Sequence, residues 1–224
     1  MKKAFTMMEL IFVIVVIGIL AAVVIPRTGS NKLNEAAIQV VSHIRYTQHL
    51  AMVDDKFDTG DSVWYKKRWQ IVFSTDDSYA DNKPSYSIFY DKDADGTVDQ
   101  SELAKNNLDQ SRYLTGGLTG YSALNITNPS TFIGTSALNI GKSYGITDIT
   151  LSSSCSTGTK IAFDNLGRPL KGPLNTYTSA YPSTRLISAQ CTITLTDGTD
   201  NVIIAIEPET GYACILNSAG TDCL

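Results

Sequence analysis

The sequence predicts an α+β protein: a long N-terminal helix, its first half membrane-spanning, whose second half packs on an antiparallel β-sheet head. Three observations carry this. From Leu10 to Ile25 every residue is apolar or Gly, whereas the rest of the chain is polar and rich in Ser, Thr, Asn and Asp. Beyond that run, Leu33, Ala36, Ala37, Val40, Val41, Ile44, Ala51 and Met52 recur at helical spacing. Further on, short alternating segments are separated by Gly, Asn, Asp and Pro.

The first element is the apolar one. Lys2 and Lys3 precede it, as in a secretory signal. Such a signal has an apolar core of about 7–15 residues followed by a small-residue cleavage site. Here the run is longer, and no Ala-x-Ala site follows it before Pro26. Phe5 to Ile25 matches the roughly 20 residues a helix needs to cross a bilayer. One acid, Glu9, lies within it. A charge at mid-membrane costs on the order of 2.5–3.5 kcal/mol, less near an interface, so an acid kept there calls for a partner.

Lys2-Lys3-Ala4-Phe5-Thr6-Met7-Met8-Glu9-Leu10, followed by Ile11-Phe12-Val13-Ile14-Val15-Val16-Ile17-Gly18-Ile19-Leu20-Ala21-Ala22, resembles the class III signal of type IV pilins and type II secretion pseudopilins. The resemblance implies cleavage by a prepilin peptidase between Ala4 and Phe5, then N-methylation of Phe5. Most members carry Gly before the cut; Ala4 stands there in this chain. Glu9 becomes the fifth residue of the mature chain, the family's assembly glutamate. The new amine on Phe5 would pair with Glu9 of a neighbouring subunit, because an opposite charge stabilises a carboxylate in a low dielectric. Gly18, Ala21 and Ala22 would let helices approach closely. In the family the proline matching Pro26 bends the helix without ending it, which implies one continuous helix from about Phe5 to about Val53.

The expected organisation is a cleaved leader at 1–4, a transmembrane helix at 5–25, an amphipathic stalk at 26–54 and a β-rich head at 55–224. In the head, Arg68 to Phe73 alternates with Trp69, Ile71 and Phe73 on one face, and Tyr86, Ile88 and Tyr90 alternate likewise. Later strands are expected at Lys160–Asp164, Gln190–Leu195, Val202–Ile206 and near Tyr212–Leu216. Residues 104–159 are undecided. They hold two copies of Ser-Ala-Leu-Asn-Ile, read as chance or as two similar short strands. The series Ile161 to Pro169, with a final hairpin through Thr210-Gly211-Tyr212, looks like H-type minor pseudopilins and the related T-type minor pilins. Some T-type relatives bind DNA through a basic C-terminal region. This chain has no Lys or Arg after Arg185, so no nucleic-acid partner is expected.

Asp91-Lys92-Asp93-Ala94-Asp95-Gly96-Thr97-Val98-Asp99-Gln100-Ser101-Glu102 fits the twelve-residue EF-hand calcium loop. Asp91, Asp93 and Asp95 occupy positions one, three and five, and Gly96 supplies the turn. Thr97 would ligate through its carbonyl, Asp99 at position nine, and Glu102 as a bidentate ligand. So many hard oxygen donors suit one structural Ca²⁺. The segment before the loop reads as a strand, so strand–loop–helix is expected, with the helix at Ser101–Leu108. The plain alternative is a solvated acidic turn.

Cys155, Cys191, Cys214 and Cys223 show no metal-binding spacing, and outside the cytoplasm they would form disulfides. If the strands at 190–195, 202–206 and 212–216 form a meander, Cys191 and Cys214 flank the middle strand from opposite sides. That places them about 9.6 Å apart, at two strand spacings, beyond the roughly 7 Å that a disulfide spans. Of the two pairings left, Cys214–Cys223 closes a short turn-rich loop through Asn217-Ser218-Ala219-Gly220 and staples the C-terminus, so Cys155–Cys191 with Cys214–Cys223 is expected.

The net charge of −4 argues against a general nucleic-acid binder. No phosphate loop, nucleophile elbow or zinc-protease motif is present. Trp64 and Trp69 flank Lys66-Lys67-Arg68, read as a strand start with a solvated charged rim. His43 and His49 point about 240° apart on a helix and share no site. The expectation is a non-enzymatic filament subunit whose partners are other pilin-like subunits, a prepilin peptidase and the membrane. Its place would be a single pass of the inner membrane with a periplasmic head, then a filament or the cell surface. The other reading is a calcium-dependent surface binding protein on a pilin-like anchor.

Overall fold

The computed structural model describes residues 7–24, 31–155, 158–217 and 219–224. The cleavage site at Ala4 and Phe5, and Pro26, lie outside them. Helix α1 runs Met7–Val24 and helix α2 Asn31–Val53. The single helix expected from Phe5 to Val53 is therefore corrected to two. Pro26 and Gly29, the two residue types least suited to a helix interior, fall between them in the sequence. Of these two helices, α2 supplies the core residues among those described. Among the described residues no helix is long and apolar enough to cross a membrane. The transmembrane helix and the inner-membrane placement expected from the sequence are withdrawn.

The expected single sheet is two. The first is antiparallel with order β2-β1-β4-β5, from β1 (Trp69–Ser74), β2 (Ser85–Tyr90), β4 (Lys160–Phe163) and β5 (Pro169–Lys171). The second has order β3-β6-β7-β8, from β3 (Asp148–Leu151), β6 (Cys191–Thr196), β7 (Asn201–Ile206) and β8 (Ala213–Ile215). A short helix α3 (Ile140–Tyr144) precedes β3.

One face of α2 joins the two sheets. Leu33, Ala36, Ala37, Val40, Val41, Ile44 and Ala51 are buried in one cluster with Trp69, Ile71 and Phe73 of β1 and Ile193, Leu195, Ile204 and Ile206 of β6 and β7. Met52, read onto the same stripe, is exposed. The first sheet is covered on its other face as well. Phe89, Leu103 and Leu124 form an outer cluster there, and Ala162, Leu170, Leu174 and Tyr177 another.

Over Phe89 the cover comes from Leu103 and the undecided segment. Both Ser-Ala-Leu-Asn-Ile copies form 3₁₀ turns, at Ser122–Leu124 and Ser136–Leu138, and each buries its Leu. The helix expected at Ser101–Leu108 is a single 3₁₀ turn, Gln100–Glu102.

Cys155–Cys191 and Cys214–Cys223 are both disulfide-bonded. The registers that exclude a Cys191–Cys214 bond are present: Cys191 lies opposite Ile206, and Cys214 opposite Ala205. Two formed disulfides are those of a chain in an oxidising compartment.

Candidate metal centre

Strand β2 delivers Asp91 to the edge of the outer cluster, where the side chain is only 1% exposed. Its Oδ2 accepts the Gly96 N–H at 2.9 Å, while its Oδ1 has no partner. The loop then winds back on short local bonds. Asp93 Oδ1 accepts the Asp95 N–H at 3.2 Å, and Asp95 Oδ1 accepts the Thr97 N–H at 2.6 Å and its hydroxyl at 2.7 Å. Ala94 (φ 64°) and Gly96 (φ 89°) take left-handed conformations that turn the chain back over Asp91. One oxygen from each of Asp91, Asp93 and Asp95 lies within 4.8 Å of the others.

These three residues fit a hard divalent cation. Burying a carboxylate oxygen with no partner is costly, and Asp91 Oδ1 is such an atom beside two more carboxylates. Burial first, then the charge of Glu102, pushes the Asp91 carboxyl up to about 6. A bound Ca²⁺ would supply the missing partner and neutralise the cluster.

The other expected ligands are engaged differently. Glu102 is buried, and its oxygens accept the Lys92 N–H at 2.6 Å and the Asp99 N–H at 3.0 Å. It clamps the two ends of the loop together and does not join the group formed by the three aspartates. Asp99 Oδ1 accepts the Tyr121 hydroxyl at 2.5 Å. Thr97 donates its amide and hydroxyl to Asp95, and neither bond involves the carbonyl expected to ligate.

Two residues remote in sequence complete the site. Lys160 Nζ donates to the Gly96 carbonyl at 2.5 Å. Asn175 Nδ2 donates to the Asp95 carbonyl at 2.9 Å, and its side chain lies so close to Gly96 that a Cβ there would collide with it. Nothing in the spacing of the loop motif signals either contact; only the pairing of β4 with β1 brings Lys160 within reach.

A second feature stands apart from the head. The apolar side chains of α1 from Met7 to Leu20 are exposed around the whole helix, Phe12 by 71%. Glu9 lies in its first turn, where the helix dipole favours an acid. The Trp64–Arg68 cluster is structural. Arg68 is buried between the rings of Trp64 and Tyr181, 4.9 and 4.8 Å from their centroids, and donates to the Ala180 carbonyl.

No protein-family model, curated protein or solved structure matches the chain.

Proposed function

We propose that this chain is a non-enzymatic subunit of a pilin-type filament, assembled through α1, with a calcium ion stiffening the loop at 91–102. The observation that carries the reading is the exposure of α1. A helix that is apolar all round belongs in an interior, and an exposed apolar surface of this extent marks an interaction site. Among the described residues, none of the four clusters of buried residues includes one from α1. Packing against copies of the same helix would remove this surface from water. Glu9 would fix the register by pairing with a neighbour's Phe5 amine. The residues Lys2 to Ala22, which resemble the class III prepilin signal, support the same reading.

The test has two stages. Coexpression with a prepilin peptidase removes Met1–Ala4 and leaves methylated Phe5 at the N-terminus, read by intact mass. The Glu9→Ala variant is cleaved and folds, yet does not enter filaments. A chain that keeps Met1 beside an active peptidase, or a Glu9→Ala variant that assembles normally, overturns the proposal.

A further inference from the structure

Lys160 opens β4, paired with Val72 of β1 in the middle of the first sheet. Its side chain crosses the outer face over the Phe89 ring, 5.3 Å from the centroid, and ends on the Gly96 carbonyl. The loop it enters carries five acids, Asp91, Asp93, Asp95, Asp99 and Glu102, against one base of its own, Lys92. The ammonium thus comes from outside the loop, delivered by a strand fixed on both sides by β1 and β5.

We propose that Lys160 is a built-in cation of the loop, which holds the acidic turn together without a divalent ion and lowers its affinity for calcium. The inference rests on the reading of Asp91, Asp93 and Asp95 as a calcium site. One contact carries it. The ammonium donates to the carbonyl of the residue whose amide holds Asp91 Oδ2, so it sits on the turn that closes over the cluster. Like charges repel, and in a partly buried site the repulsion is weakly screened by salt. Calcium must therefore bind against a fixed positive charge. The consequence is a loop that is folded at low calcium and loaded only where calcium is plentiful, at the 10⁻⁴–10⁻³ M typical of extracellular modules.

The experiment is a calcium titration of the full chain in mild detergent, by calorimetry, together with melting in EDTA and in millimolar Ca²⁺. Lys160→Met binds about tenfold tighter than the parent, equivalent to about 1.4 kcal/mol, and melts lower in EDTA. Lys160→Arg, which keeps the charge, binds like the parent. Lys160→Gln repeats the comparison if the methionine variant does not fold. Parent binding with no gain in the neutral variants overturns the inference and leaves the calcium site standing. If neither the parent nor any variant binds calcium, the site and the inference fall together. Binding in the neutral variants alone supports the inference in its strongest form.

Discussion

His43 sits where α2 meets β2. The hydroxyl of Tyr86 accepts from Gln39 Nε2 at 3.1 Å and lies 2.6 Å from His43 Nδ1. Having accepted from Gln39, it donates to an unprotonated Nδ1. Protonation would replace this acceptor with a donor and place a charge in a largely buried site. Burial accordingly lowers the His43 pKa from 6.5 to about 4. The unfolded chain takes up this proton near 6.5, the folded chain only near 4. Stability from His43 is thus fully present above pH 6.5 and is lost as pH falls towards 4. At 1.36 kcal/mol per unit, the loss is about 3 kcal/mol. Urea midpoints from pH 7.5 to 4 in the parent and in His43→Gln check this: the variant lacks that part of the acid loss, and parallel curves refute it. Asp91 gives the opposite case. Its carboxyl is raised, so its charge at pH 7 costs the calcium-free fold. Asp91→Asn keeps an oxygen for the Gly96 amide. It is expected to melt higher than the parent in EDTA and to gain nothing from calcium. A variant that still melts higher with calcium removes Asp91 from the ligand set.

Among the elements, what could be read from the sequence follows their regularity. The α2 stripe was legible because helical spacing repeats over several turns: seven of the eight residues named on it are buried, and Met52, in the last turn, is exposed. Strands β6, β7 and β8 were legible because short turns fix their register, and that register excluded a Cys191–Cys214 bond. Strand β3 was not, having four residues and one buried side chain, Ile149. Nor was β5, which starts on Pro169. The cover at 103–138 was illegible because it has no period. It is built of 3₁₀ turns and of Asn and Asp side chains capping nearby amides, as Asn125 does for Thr127 and Asp109 for Ser111. In the candidate site, Asp91, Asp93 and Asp95 were legible as a motif. Lys160 and Asn175 were not, since they reach the loop only through sheet pairing and chain folding. The disulfides carry a prediction at this scale. They close intervals of 36 and 9 residues. Loop-closure entropy gives about 4 kcal/mol for Cys155–Cys191 and about 2.5 kcal/mol for Cys214–Cys223. Removing each pair as a double Cys→Ala variant should lower stability to urea in that order. The reverse order would mean that the C-terminal staple holds β8 in place rather than merely shortening the unfolded chain.

At the scale of the whole molecule, stability and assembly belong to different helices. Helix α2 joins both sheets through one cluster, so Ile44→Ala should cost about 2–5 kcal/mol and melt both sheets in a single transition. Helix α1 contributes to none of the buried clusters among the described residues. It places a sheath of exposed Ile, Val, Leu and Phe in water, a cost in solvation that packing against other copies would remove. A chain beginning at Asn31 is therefore expected to melt within about 2–4 °C of the full chain, a difference of no more than about 1 kcal/mol at this size. It should also stay monomeric at concentrations where the full chain associates without detergent. Light scattering after size exclusion and calorimetric melting of both chains separate the two roles. A truncated chain that melts far lower would place α1 in the fold. A truncated chain that still associates would move the assembly surface from α1 to the head.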